Sequence, residues 1–140
     1  MSQDEELHAT AVKAAIQAVL NTLGSAPHVQ VLDLDDVYDD TTESGGRPDE
    51  YVEIQVMRRY GGLERLDGYH GTTGWRITTR VVARTVTAAR KLRKAVSDAL
   101  LFVNLTVSGS ATTPVCFETE GPIGEDDDYW VGLTDYTYTL

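Results

Sequence analysis

The chain has 140 residues, of which 22 are acidic and 12 are basic, so its formal net charge is −10. That length predicts a single domain over residues 1–140. The charge disfavours an ordinary nucleic-acid binder or a protein that binds anionic membranes, because both need basic surfaces. A single cysteine excludes a disulfide framework within the chain. No apolar run approaches the roughly 20 residues that a membrane span needs, so we expect no membrane partner.

The first segment predicts an amphipathic helix over about residues 3–23. Its apolar residues recur at helical spacing, at Val12, Ile16, Val19, Leu20 and Leu23. Alanines between them favour the helix and allow close packing. Gly24 supplies a C-terminal stop, and Pro27 lies just beyond it. We therefore expect this helix to pack one face against the rest of the domain.

Apolar residues between positions 29 and 34 indicate a short strand, which runs into a strongly acidic segment. Eight acids lie within residues 33–50, and two glycines and a proline interrupt any regular element there. The first aspartates resemble a calcium loop, but Val37 and Tyr38 stand where that loop needs an acid and a glycine. We expect a solvated loop over about 33–50, with weak cation binding as the alternative.

Two extended segments flank a glycine-rich connection. Tyr51–Tyr60 alternates apolar and polar side chains, which predicts a half-buried strand, and Trp75–Thr85 alternates again. Five glycines lie between residues 61 and 74. A connection of this length inside a compact domain is usually functional or disordered, so we expect a long loop over about 60–74.

The centre of the chain is a basic strand–helix unit. Seven of the 12 basic residues lie between Arg76 and Lys94, and residues 68–97 contain no acid. An amphipathic helix is predicted over about Thr87–Leu101, with apolar residues at helical spacing. Because each predicted helix has a single apolar stripe, we expect both on one face of a mixed or antiparallel sheet, which is an α+β fold.

The C-terminal third predicts further short strands. Leu105–Val107 and Val115–Phe117 have strand character and are separated by the spacer SGSATTP. EGPIGEDDD predicts a second acidic loop, and the ending YWVGLTDYTYTL is dense in aromatic and β-branched residues. We expect this last strand either to pair within its own sheet or to add to the edge of a neighbouring copy.

Arg76, Arg80 and Arg84 share one face of the predicted strand Trp75–Thr85, and two interpretations are open. In the first, they pair with carboxylates on a neighbouring strand, such as Glu53, each pair contributing about 0.2–1 kcal/mol. In the second, they meet acidic loops of an adjacent copy, and complementary charge fixes the register of self-association.

Residues with catalytic potential form no recognisable constellation. His8, His28 and His70 are scattered, and one cysteine cannot build a cysteine-rich zinc site. The glycine-rich segment lacks the Gly-Lys-Ser/Thr of a phosphate loop. Cys116 lies in an apolar segment, where we favour core packing over a nucleophile. The sequence therefore predicts no enzyme, no metal and no cofactor.

The order of elements, with GWRITTRVVARTVTAARKLRKAVSDAL and DDDYWVGLTDYTYTL, resembles tail terminator proteins of long-tailed, siphovirus-type bacteriophages, in particular neck proteins of actinobacteriophages. The resemblance implies an α+β fold and a hexameric ring that caps the tail-tube protein, stops polymerisation and docks the head-completion or connector proteins. Genome DNA would pass through the ring without specific binding. The implied location is the virion, or the host cytoplasm during assembly. The alternatives are a head-completion or tail-tube protein of the same virion, and a small acidic cytosolic protein-binding domain.

Three groups of residues are candidates for contacts in such an assembly. Self-association is expected at Arg76, Arg80, Arg84, Tyr136 and Tyr138. Candidate anchors for the tail tube, with core coverage as the equal alternative, are Tyr60, Leu63, Leu66 and Tyr69. Acidic loops are expected to face the lumen or the connector through Asp39, Asp40, Glu43, Asp126, Asp127 and Asp128.

Overall fold

The computed structural model describes residues 3–32, 34, 47–59 and 74–140. The helices in these ranges are α1, Gln3–Leu20, and α2, Val86–Leu100. The strands are β1, His28–Val31; β2, Glu50–Arg59; β3, Gly74–Ala83; β4, Asn104–Val107; β5, Ser110–Pro114; β6, Cys116–Glu120; β7, Gly124–Asp126; and β8, Tyr129–Thr139. Neither α1 nor α2 is long and apolar enough to cross a bilayer.

Most strands join one mixed sheet in the order β1-β2-β3-β8-β6, and β7 pairs with β8 on the same side as β6. β1 runs parallel to β2, whereas the other neighbours are antiparallel. β4 and β5 form a separate hairpin. The C-terminal β8 is paired on both sides. Of the two positions expected for it, the structure therefore shows the one inside its own sheet.

The hydrophobic core lies between the helices and one face of this sheet. α1 contributes Ala9, Val12, Ile16 and Leu20, and α2 contributes Ala89, Leu92, Val96 and Leu100, all of them buried. The sheet contributes the alternate residues of its strands, such as Ile54 on β2, Ile77 on β3 and Tyr136 on β8. Burial of this apolar surface is the main force that holds the layers together. The predicted α+β fold, with two helices on one face of a mixed sheet, is confirmed.

Local hydrogen bonds determine where α2 begins and where α1 ends. α2 begins after Thr85, whose backbone is extended and whose hydroxyl accepts a hydrogen bond from the Ala88 amide at 3.1 Å. α1 was expected to reach residue 23 but ends at Leu20. The next residues bond three positions back, the Thr22 amide to the Val19 carbonyl and the Leu23 amide to the Leu20 carbonyl, both at 3.0 Å. The chain therefore tightens into short turns before β1.

Two tight turns build hairpins in segments that the residue pattern predicts to be irregular. Ser108 and Gly109, with φ of 49° and 85°, join β4 to β5, so the expectation of a plain spacer at SGSATTP was wrong. Asp127 and Asp128, with φ of 50° and 68°, join β7 to β8, so the second acidic loop contains a strand. Positive φ at both central residues suits the right-handed twist of paired strands.

Candidate functional site

The face of the sheet opposite the helices, here called the open face, carries the predicted arginines. On β3 the helix side holds Trp75, Ile77, Thr79, Val81 and Ala83, all buried. Arg76, Thr78, Arg80 and Val82 alternate with them and point to the open face. The alternation predicted for this strand is therefore confirmed, and the question is what the arginines contact.

Arg80 lies at the centre of the open face, opposite Glu53 on β2. Its Nη1 contacts Glu53 Oε1, and its Nη2 lies 3.4 Å from Asp126 Oδ2 on β7. The Glu53 side chain is only 6% exposed, so without Arg80 this carboxylate would be buried with no counter-ion. The cross-strand pair with Glu53 that the sequence suggested is present.

Arg76 binds Glu118 on β6 through two parallel hydrogen bonds. Nε donates to Oε2 at 3.0 Å and Nη2 donates to Oε1 at 3.1 Å, while Arg59 Nη2 lies 3.4 Å from the same carboxylate. The hydrogen bond from Arg76 lowers the pKa of Glu118, and the same bond raises the pKa of Arg76. This fork links β3 to β6 across β8. Glu118 was missed by the sequence analysis because strand register is not readable from one sequence.

Arg84 holds a third contact, at the end of β3. Its Nε lies 3.3 Å from Asp49 Oδ1, and its guanidinium carbon lies 4.2 Å from the centroid of the Tyr129 ring. Arg47 covers the same ring at 3.9 Å, and the Tyr129 hydroxyl donates to the carbonyls of Arg47 and Pro48. The chain before β2 is thereby fastened across this part of the open face.

The three arginines are therefore paired within one subunit. This supports the first interpretation of them, and their role in self-association stays a prediction. Asp126 is likewise engaged with Arg80, whereas Asp127 and Asp128 are exposed at the β7–β8 turn. The other predicted contact residues lie outside the described residues: Asp39, Asp40, Glu43, Tyr60, Leu63, Leu66 and Tyr69.

Tyr136 and Tyr138, expected at a self-association surface, require a correction. They are 2% and 3% exposed and lie on the helix side of β8, so their side chains pack inside the subunit. His8 Nδ1 lies 2.6 Å from the Tyr138 hydroxyl, and the His8 ring stacks on Trp75 at 3.7 Å between centroids. Burial lowers the pKa of His8 and raises the pKa of Tyr138. This cluster ties α1 to the C-terminal strand.

Two exposed phenylalanines, Phe102 and Phe117, lie on the chain that follows α2 and are here together called the apolar end. Phe102 is 74% exposed and Phe117 is 54% exposed. Phe102 has φ of 61°, a conformation that costs a bulky residue about 1–2 kcal/mol, and its amide donates to the Val115 carbonyl at 2.8 Å. Phe117 follows Val115 by two residues along the chain and lies on the edge strand β6. No charged residue occurs from residue 99 to residue 117, which is the sequence signal that could have located this surface.

We also searched the described residues for metal-ligand groups and for a reactive cysteine. No group of three or more histidine, cysteine, aspartate or glutamate side chains there could hold a metal ion. Cys116 was expected in the core, but it begins the edge strand β6 and is exposed. Its neighbour Val115 takes the buried position instead.

Comparison with known proteins gives fold similarity only. One solved structure, whose name describes no function, has a TM-score of 0.66 at 15% identity and covers 99% of this chain and 96% of its own. A chain from the virion of a native gene transfer agent (GTA) particle has a TM-score of 0.64 at 15% identity and covers 99% of this chain and 98% of its own. No protein-family model and no curated protein matches the sequence. At this identity the likeness shows the fold alone.

Proposed function

We propose that the protein is a structural component of a virion, and specifically a tail terminator that caps the tail tube as a hexameric ring. The observation that carries this proposal is the fold, which matches nearly the whole of a chain in a gene transfer agent virion. The resemblance of GWRITTRVVARTVTAARKLRKAVSDAL and DDDYWVGLTDYTYTL to tail terminators supports the specific station. In this role the chain catalyses no reaction and needs no cofactor.

The apolar end is the surface that we assign to the tail tube. Exposed aromatic residues usually carry much of the energy of a protein interface, and Phe102 and Phe117 are the most exposed large apolar residues that the structure describes. The segment of residues 60–73, which holds the candidate anchors Tyr60, Leu63, Leu66 and Tyr69, joins Arg59 of β2 to Gly74 of β3. Gly74 pairs with Thr139, and the Thr139 amide donates to the Thr113 hydroxyl of β5, so the first residue of β3 lies near β5.

The charge of the chain fits the remaining parts of the role. A strongly acidic subunit stays soluble before assembly, because like charges keep free copies apart. An acidic wall also lets genome DNA pass without binding, since phosphates find no basic surface to neutralise them.

Polymerisation of a partner tail-tube protein tests this function directly. With the chain present, tubes should stop growing and carry one cap each, so that their lengths fall and become uniform. The double variant Phe102→Ser/Phe117→Ser should leave a folded protein that caps tubes poorly. Leu133→Ser, a residue 50% exposed on the open face, is the matched control and should cap normally.

Other results would redirect the proposal. Incorporation along the whole tube would make the chain a tube subunit, and binding to connector proteins but never to tubes would place it on the head side of the neck. A protein that ignores both partners would overturn the virion role. Normal capping by the phenylalanine variant would keep the function and reject the apolar end as the docking surface.

A further inference from the structure

The charges of the molecule are paired unevenly. Arg58, Arg59, Arg76, Arg80, Arg84, Arg93 and Lys94 each form a salt bridge with a carboxylate of the same chain. Lys13 and Arg47 also have interactions within the chain. Among the basic residues that the structure describes, this leaves Arg90 and Lys91 without a partner. They are adjacent and exposed, and they lie on the outward surface of α2, because Ala89 and Leu92 on either side face the core.

Unpaired acids are concentrated at a different place. Glu125, Asp127 and Asp128, here called the acidic turn, are exposed, and no basic side chain of the described residues lies within salt-bridge distance of them. Asp126, between them, is held by Arg80 at 3.4 Å. β7 pairs with β8, and Asp127 and Asp128 between them both have positive φ, so the acidic turn is a tight two-residue hairpin turn. Three carboxylates are thus presented together on a hairpin that is itself anchored to the open face.

We propose that the acidic turn of one copy docks on Arg90 and Lys91 of the next copy. The inference rests on the proposed ring and names the contact that closes it. The two surfaces are complementary in charge, and neither is neutralised by its own subunit. Because they are different surfaces, the contact is head-to-tail, and repeated contacts of this type close into a ring when the rotation between copies permits.

Electrostatics favours this contact over the alternatives on the surface. Two copies with a charge of −10 each repel unless they meet where one presents cations to the acids of the other. The arginines of the open face are less suited to supply those cations, because Glu53, Glu118 and Asp49 already bind them. Charge complementarity of this kind mainly sets the register and the rate of association, and salt weakens it.

The first test removes one side of the contact without a change of fold. Arg90→Gln/Lys91→Gln should raise the concentration needed for ring formation at least about tenfold, measured by native mass spectrometry with and without tail-tube protein. Ala14→Glu/Ala18→Glu is the matched control. It changes the net charge by the same amount at two exposed positions of α1, and it should assemble like the wild type.

The second test restores the contact with opposite signs. Arg90→Glu/Lys91→Glu should block assembly, and so should Glu125→Lys/Asp127→Asn/Asp128→Asn, in which asparagine tolerates the positive φ of the turn. A mixture of these two variants should form closed rings in which they alternate, because each native turn then meets a native patch and each reversed turn meets a reversed patch. The combined variant carries both reversed halves and should assemble alone. Wild-type rings together with normal rings from either variant would overturn the contact and leave the function intact. Wild-type protein that never forms rings, even on tubes, would overturn the proposed function itself.

Discussion

The two faces of the sheet differ although they are built from the same strands. On β3, Ile77 and its alternate neighbours are buried under α1 and α2, while Arg76 and Arg80 between them form salt bridges on the open face. The covered face is held by apolar burial, which is large and non-directional. The open face combines a small buried cluster of Tyr51, Val82 and Tyr129 with paired charges, and the charges fix register more than they add stability.

This comparison also separates folding from assembly. Arg76, Arg80 and Arg84, which the sequence suggests for contacts between copies, form salt bridges with carboxylates of their own subunit. The surfaces that we propose for partners are those whose chemistry the subunit does not satisfy. They are the apolar end at Phe102 and Phe117, and the outward face of α2 with the acidic turn.

The largest expected effect is a truncation on the covered face. Ile77→Ala should lower the free energy of unfolding by about 2–4 kcal/mol, because Ile77 has no exposed surface and belongs to the core cluster to which both helices and β8 contribute. Leu133→Ala on the open face should change it by less than about 0.5 kcal/mol. Urea denaturation of both variants checks this, and equal losses would remove the distinction between the two faces.

A smaller effect is expected where the open face buries a charge. Arg80→Met should cost about 1–3 kcal/mol, because the carboxylate of Glu53 then stays buried without its partner. Arg84→Met, which leaves an exposed Asp49, should cost less than about 1 kcal/mol. Thermal unfolding compares them. Adding Glu53→Gln to Arg80→Met should restore part of the loss, and no restoration would show that Glu53 is not the group responsible.

A similar or smaller loss is expected where α2 touches the sheet. Arg93 lies over Gly132, donates to the Gly121 carbonyl at 2.7 Å and pairs with Glu120. A Cβ at residue 132 would overlap Arg93 Nη2 and lie 3.1 Å from Ile123 Cγ1. Gly132→Ala should therefore cost about 1–2 kcal/mol. In an Arg93→Ala background the same change should cost less, and an unchanged cost would place the strain elsewhere.

The smallest effect concerns pH and the cluster of His8. Burial lowers the pKa of His8 below its usual 6.5, with Asp4 raising it and Arg58 lowering it to smaller extents. Tyr138 stays neutral because burial raises its pKa. The unfolded chain therefore takes up the proton first, so stability is full above pH 6.5 and is lost as the pH falls below that value.

The variant His8→Gln isolates this contribution. The difference in the free energy of unfolding between wild type and variant should shrink from about pH 7.5 to about pH 5.5, because only the wild type has this proton to bind. Urea denaturation at both pH values measures the difference. A constant or widening difference would show that His8 is not protonated preferentially in the unfolded chain.

Periodicity predicted most of the fold, because alternation and helical spacing are local properties. The two faces of β3 and the apolar stripe of α2 follow directly from residue order. The β4–β5 and β7–β8 hairpins were missed, since Ser108–Gly109 and Asp127–Asp128 are not the asparagine–glycine turn that marks a hairpin most clearly. The burial of Tyr136 and Tyr138 depends on β8 being an interior strand, which only the pairing of distant strands decides.

The candidate surfaces were predictable only in part. Glu53 was a readable partner for Arg80 because both lie on predicted strands with clear faces. The pairing of Arg76 with Glu118 was not, because it spans β8 and passes a bulge in β6. Phe102 itself has the left-handed backbone conformation just after α2, and helix propensity carries no information about that conformation.

Imaging of tube ends by electron microscopy tests the central claim most directly. Tail tubes grown with the wild-type chain should each carry one ring with six-fold symmetry at a single end, and class averages should fit six copies of the fold. Bare tube ends, or copies of the chain distributed along the tube wall, would contradict the account.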